Sequence, residues 1–358
     1  MGWFPVKLKL TLRKINMPKK SAKQKTRLSS FLGRFKFLLF ALAFGLIGCI
    51  ALLRSRAATV SEPPIGLMIQ VSTLGPTHTP ATVKSWLQNV QKNHRNRLKQ
   101  GYIDTIVLQD ITDQNGKLLT DYLDVITPYL PGGKTPIFDK AYIGTIDLDW
   151  SGSGSKYIEG IGNPAFRQKN IDMSATAATA FYKRYPRVNA HWYITYEANL
   201  SGFWDNNIKT SYLTYINAFS DRMSKIKAKE YMWSPAFWTP YRQQPSWALP
   251  GLKANFADFF GKTRVKLHMN IQDFVGQSGG VSTKEDAVVW AKYLKTNWSP
   301  RMMSIQINAE QFHQTASGGI TATTTAKLAE RETYYQKQGF KVGPSWEIRY
   351  WHKRMYGR

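Results

Sequence analysis

From residue 65 onward, short β-rich runs alternate with longer stretches whose apolar residues recur at helical spacing. Eight strands are predicted, at 65–71, 104–110, 140–148, 191–197, 230–237, 264–273, 302–310 and 340–347. Two of them show the two-residue period clearly. In 302–310, Ser304, Gln306, Asn308 and Glu310 share one face, with Ile305, Ile307 and Ala309 on the other. In 264–273, His268, Asn270 and Gln272 oppose Leu267, Met269 and Ile271. Apolar residues turned to a helix layer and polar ones to a central axis account for both patterns.

The intervening stretches carry helix signals with a mechanism. Residues 79–101 open on Thr79 and Pro80 and close at Gly101, which supplies a capping hydroxyl, a proline at the first turn and a glycine past the end. Residues 282–298 repeat the pattern with Ser282 or Thr283 as cap, and 321–340 lead into the last strand in the same way. Strand followed by helix, eight times over, predicts an α/β fold, a (β/α)8 TIM barrel spanning 65–358 with its last helix missing or vestigial. An open doubly wound sheet would carry a glycine-rich first turn. Residues 68–77 have none, and the GKT triplets at 133–135 and 261–263 lack the spacing of a phosphate-binding loop.

Before the barrel the pattern changes. Residues 1–36 hold eleven Lys or Arg and no acid, and 37–53 form an apolar run at the short end for a membrane span. Basic flanks stay in the cytoplasm, so this order predicts a single-pass signal anchor with the barrel outside the cytoplasm and 54–64 as linker. Two alternatives share that topology. The Leu-Ile-Gly-Cys run at 46–49 resembles a lipobox that would lipidate Cys49, and residues 55–58 offer a cleavage site for secretion.

Composition adjusts this picture in three ways. The net charge of +26 falls to about +13 once residues 1–61 are set aside, without a dense cationic block before the carboxyl-terminal tail. That favours an anionic surface over nucleic acid, for which no recognition motif is present. Cys49 is the single cysteine and the six histidines are scattered, so no disulfide within the chain and no metal or other cofactor is expected. Finally, 12 Trp and 18 Tyr exceed what a core of this size needs, and such residues commonly line ligand clefts.

Polar side chains gather at the carboxyl ends of the predicted strands, where barrels of this kind hold their sites. These are Gln70, Gln109, Asp110, Asp147, Asp149, Glu197, Gln272, Asp273, Asn308, Glu310 and Glu347, with Tyr196, Trp204, Trp233, Trp238 and Trp346 on or near the same ends as candidate sugar contacts. The plainer reading of those below the tips is a satisfied polar network inside the barrel. Glu197 on strand four and Glu310 on strand seven form the informative pair, because two carboxyls flanking a glycosidic bond suffice to cleave it. Many retaining glycosidases place the acid/base and the nucleophile on these two strands, with an Asn where this chain has Tyr196. A retaining pair requires about 5–5.5 Å between the carboxyls. Trp192, Tyr193 and Tyr196 are expected to raise the pKa of Glu197, leaving Glu310 the more readily ionised. Asp273 either enters the cleft or caps the following loop.

Four ordered motifs, 191–197, 233–238, 271–280 and 305–312, resemble the glycoside-hydrolase-like barrel family catalogued as domain of unknown function 4434. The likeness spans about residues 65–350. It implies a sugar-directed cleft with Glu197, Gln272, Asp273, Asn308 and Glu310 as matching residues. The expected function is a glycoside hydrolase acting on polysaccharide or cell-surface glycan, with a non-catalytic glycan-binding barrel as the alternative.

Overall fold

The computed structural model describes residues 66–352 apart from 76, 99–104, 228, 238–248, 278–281, 316 and 351. The apolar run 37–53 and its basic flank lie outside the described residues, and among those described no helix is long and apolar enough to cross a membrane. Residues 62–358 fold as one compact unit.

Nine parallel strands make a single sheet. They are β1 (Leu67–Gln70), β2 (Thr105–Asp110), β3 (Lys140–Ile143), β4 (His191–Ile194), β5 (Tyr231–Trp233), β6 (Leu267–Gln272), β7 (Met302–Asn308), β10 (Lys341–Val342) and β11 (Ser345–Trp346). An antiparallel hairpin, β8 (Phe312–Gln314) and β9 (Ile320–Ala322), was not expected from the pattern. Helices α1 (Pro80–Leu98), α2 (Thr120–Ile126), α3 (Pro164–Arg184), α4 (Asn206–Ser224), α5 (Leu249–Lys262), α6 (Lys284–Trp298) and α7 (Thr325–Lys337) follow β1 to β7 in turn. Local chemistry sets their starts. The Thr79 hydroxyl accepts from the Thr82 amide at 3.3 Å. Thr283 and Asp286 cap α6 reciprocally, each side chain accepting from the other's amide.

The predicted eighth strand is split. Lys341 and Val342 pair with Gln306 and Ile307 of β7, whereas Ser345 and Trp346 pair with Leu67 and Met68 of β1. Gly343 and Pro344 alone separate them, so one run of chain occupies both edges and the sheet curls round into a barrel-like form. The other paired segments are mostly shorter than predicted, because pairing stops before the mouth. Beyond β2 and β3, for example, the amide of Ile111 bonds to Thr145 as the strands give way to loops.

Side-chain parity then sorts the interior into two shells. Met68, Val107, Tyr142, Tyr193 and Met232 form an apolar cluster inside the sheet, with Trp346 packed against it. Further round, the inward positions turn polar: Asn270 donates to Ser234 Oγ and to the carbonyl of Pro344, and His268 pairs with Ser304 and Glu230. Outward residues such as Ile69, Leu108, Ile143, Trp192, Trp233 and Ile307 join the helices in the two larger clusters. Gly343 permits the closure, since a Cβ there would collide with Asn270 Oδ1 and come within 2.8 Å of Gln306 Cγ. Gly343→Ala should therefore lower stability by about 1–3 kcal/mol, read from the denaturant midpoint. An unchanged midpoint would mean that the two edges do not meet as described.

Candidate functional site

Glu197 lies three residues beyond β4 on the same parity as Tyr193, and so turns inward. Three strands supply its partners. The Tyr193 hydroxyl donates to Glu197 Oε1 at 2.9 Å, and Gln109 Nε2, from β2, donates to the same oxygen at 3.2 Å. Gln272, from β6, donates a further bond and is itself fixed by the carbonyl of Ser234 at 2.6 Å. Glu197 keeps part of its surface open to the mouth, yet protein surrounds it on most sides. Burial raises its pKa to about 7, opposed by the donors Gln272 and Tyr193, with Asp147 adding to the rise. Burial also holds the Tyr193 phenol far above its ordinary value, so it stays a donor at neutral pH.

Glu310 turns inward two residues after Asn308 and is nearly enclosed, at 3% exposure. Its Oε2 accepts from the Gly276 amide at 2.8 Å. Its backbone is pinned by a separate network. The Glu310 amide donates to Asp273 Oδ1 at 3.2 Å, while the Arg331 guanidinium, at the middle of α7, reaches both the Glu310 carbonyl and Asp273 Oδ2. The Tyr335 hydroxyl and the Val275 amide complete the shell of Asp273 at 2.7 and 3.2 Å. Burial, reinforced by the Asp273 carboxylate, lifts the Glu310 pKa to about 8. The expected order is thus reversed, because Asn308 and Gln306 are not the groups that set the charge around Glu310.

Asp110 and Glu347 are fully buried at the ends of β2 and β11, the two strands that flank β1. Asp110 accepts from the Ser72 amide and hydroxyl at 2.8 and 2.6 Å, and burial raises its pKa to about 6. Glu347 pairs with Arg349, and burial raises it to about 7. Beside them Gln70 and Trp346 are half-buried, and Trp346 packs edge-on to Phe312 at 5.3 Å. Asn308 lies at the end of β7 in register with Gln272, with its side-chain oxygen unpartnered. Lys156 reaches Asp147 at 2.8 Å and Asp149 at 3.4 Å on the side of the mouth next to Glu197.

Several sequence-derived assignments change. Tyr196 and Trp233 were expected at the ligand but face outward into the helix layer. The Tyr196 hydroxyl donates to the carbonyl of Leu148 at 2.7 Å, and Trp233 Nε1 donates to the carbonyl of Tyr196 at 2.8 Å. Parity decides this: both sit an odd number of residues from the inward Tyr193 and Met232. Asp273 is outward too, and its contacts are structural, fixing the loop after β6 and the backbone of Glu310. Trp238 lies outside the described residues. Trp204 is 59% exposed just beyond β4, free to meet a ligand. Tyr193, Lys156 and Arg331 were not singled out as site residues. Alternation along β4 pointed to the first, and no signal pointed to Arg331, whose partners lie 21 and 58 residues away.

The class these features define is an α/β barrel-like fold with a carboxylate-rich mouth. No protein-family model matches the sequence, and no curated protein matches it. Among solved structures the fold is similar to a protein from Bacteroides thetaiotaomicron described as a candidate alpha-L-fucosidase. The TM-score is 0.56 and the identity 14%, over 80% of this chain and 86% of that one. A broad-specificity endoglucanase from an uncultured bacterium aligns at TM-score 0.45 and 12% identity, covering 80% and 87%. A family 1 β-glucosidase from Thermotoga maritima aligns at 0.44 and 11%, covering 80% and 88%. At 14% identity the likeness to the first of these is one of fold.

The raised carboxyls make stability depend on pH in one direction. Each holds its proton in the folded chain at pH values where the unfolded chain has lost it. Their contribution is complete below about pH 4, and is lost as pH rises through about 6 for Asp110, 7 for Glu197 and Glu347, and 8 for Glu310. The melting temperature should fall between pH 5 and pH 8. Glu310→Gln should raise it by a few degrees at pH 8 and leave it unchanged near pH 5. A melting temperature that climbs over this range would contradict the burial assigned to these groups.

Proposed function

We propose that the chain is a glycoside hydrolase working through Glu197 and Glu310. The observation that carries this reading is the setting of Glu197. It is a carboxyl at a strand end, open to the mouth, gripped by donors from three strands, with a pKa of about 7. Such a group can give up and regain a proton at neutral pH. The strand positions of the two acids and the four motifs that resemble domain of unknown function 4434 support membership of that family and the assignment of roles.

In the proposed retaining cycle Glu310 attacks the anomeric carbon as the bond to the leaving oxygen breaks, and Glu197 transfers its proton to that oxygen. Water then gives its proton to Glu197 and attacks the same carbon, freeing the Glu310 carboxylate. With Glu310 near 8 and Glu197 near 7, the form that holds a single proton is most populated from about pH 7 to 8, and most of it carries that proton on Glu310. The productive form carries it on Glu197, while the Gly276 amide and Arg331 favour the anion of Glu310.

Trp346 and the exposed Trp204 offer faces for sugar rings. The basic flank before the apolar run 37–53 supports tethering with the barrel outside the cytoplasm, through residues that lie outside the described ones. The near-complete enclosure of Glu310 favours the rival reading, a glycan-binding barrel without turnover.

Hydrolysis of a panel of aryl glycosides separates the two. The enzyme reading requires turnover with a bell-shaped dependence of kcat/KM on pH, with limbs near 7 and 8. Glu197→Ala and Glu310→Gly should each lose about 10²–10⁴-fold. Azide should rescue both, giving a glycosyl azide of retained configuration with Glu197→Ala and of inverted configuration with Glu310→Gly. Sugar binding without turnover by the unaltered chain would establish the binding barrel instead.

A further inference from the structure

Part of the chain's excess positive charge gathers at one end of the barrel. Because every strand of the sheet runs the same way, the helix-to-strand turns all lie at one end and the strand-to-helix loops at the other. The mouth end carries at least one acid at or just after the end of each of β2, β3, β4, β6, β7 and β11, among them Asp110, Asp147, Glu197, Asp273, Glu310 and Glu347. The opposite end carries a cation in, or directly after, each of the six turns that lead into β3, β4, β5, β6, β7 and β10, with Asp139 and Glu230 as acids in the turns into β3 and β5. The cations are Lys134, Arg187, Lys225, Lys266, Arg301 and Lys341. All six are exposed, and among the described residues no ion pair engages any of them.

A plainer cause exists for some of the charge at this end. Cations in the last turn of a helix complement its dipole, and Lys183, Arg184, Arg222, Lys262 and Lys337 occupy such positions. Arg184 and Lys262 are in addition neutralised by Asp124 and Asp258. Of the six, Lys225 caps the carboxyl end of α4 and Arg301 ends the short 3-10 turn Ser299–Arg301, whereas Lys134, Arg187, Lys266 and Lys341 lie beyond the helix ends, where the dipole does not explain them. The six follow the contiguous strands β3 to β7 and β10 round this end rather than line a groove, and a surface hollow of about 570 Å³ adds Lys183 and Arg222 next to Lys225.

We infer that this end of the barrel is a docking face for an anionic phospholipid bilayer, with the mouth directed away from it. The placement of the charge fits a flat, laterally continuous anion better than a strand of nucleic acid, which a groove or stripe would track. The sequence agrees, since the chain enters β1 at this same end, at Gly66, with the apolar run 37–53 only 12 residues before it. The proposal does not depend on the chemistry assigned to Glu197 and Glu310, and its test leaves that chemistry untouched.

The unit 62–358, which is compact on its own, lacks the apolar run and so isolates the effect of the face. Sedimentation with phosphatidylglycerol–phosphatidylcholine vesicles should show binding that phosphatidylcholine alone does not support. Each exposed cation near such a surface is worth about fivefold in partitioning. The triple variant Arg187→Glu, Lys225→Glu, Lys266→Glu should therefore lose more than about a hundredfold, and raising salt from 0.05 to 0.5 M should release the unaltered unit. Since Cys49 is outside this unit, a dye on Lys266→Cys should respond to vesicles while one on Asp113→Cys should not. No vesicle binding at low salt, or equal loss with mouth-end charge variants, would overturn the proposal. Tighter binding to duplex DNA than to the vesicles would replace lipid by nucleic acid.

Discussion

The mouth of this barrel is organised around the buried ion pair of Asp273 and Arg331. One carboxylate just past β6 accepts from Arg331, Tyr335, the Val275 amide and the Glu310 amide. Removing two charges from water costs several kcal/mol each, and only a complete set of partners offsets it. Here the set is complete for Asp273, and its members come from the β6 loop, the β7 exit and α7. Three segments distant in sequence are thereby locked to one another, and the Glu310 carboxyl is carried inward as a consequence. Removing Arg331 would strand the Asp273 charge, so the pair specifies geometry more than it adds net stability.

The same parallel arrangement that creates the mouth also separates charge. Strand ends gather acids at one face, and exposed cations sit in or beside turns at the other. Within the acidic face, burial outweighs hydrogen bonding in setting pKa values. Four carboxyls consequently move toward neutrality, to between about 6 and 8, and only Glu197 among them combines that shift with surface left open. A buried acid with a raised pKa costs stability above its ordinary range, and such a cost is typical of a site rather than of a core.

Much of this was legible in the sequence, and the misses have physical causes. The strand–helix alternation, the caps at Thr79 and Thr283, and the inward polar rows of β6 and β7 all follow from periodicities of 3.6 and 2. The same period of two, carried one step further along β4 and β5, would have placed Tyr196 and Trp233 in the helix layer. They were read as ligand contacts on aromatic character alone, although a buried Tyr or Trp needs only one partner for its polar atom. Arg331 and Lys156 were invisible for a different reason. Their roles depend on contacts made across the fold or beyond regular structure, where spacing carries no signal. The split of the last strand at Gly343 and Pro344 is likewise a product of closure, which no local pattern encodes.

The central claim is that Glu310 forms a covalent bond to the sugar while Glu197 handles the proton. Incubation with an activated 2-deoxy-2-fluoro glycoside of the sugar that the aryl-glycoside panel identifies, followed by peptide mass spectrometry, tests it most directly. The account predicts one fluorosugar per chain, esterified to Glu310, with slow release on reactivation. A label on Glu347, Asp110 or Glu197, or steady turnover of the fluorosugar substrate's parent glycoside without any trapped adduct and with inversion at the anomeric carbon, would contradict it.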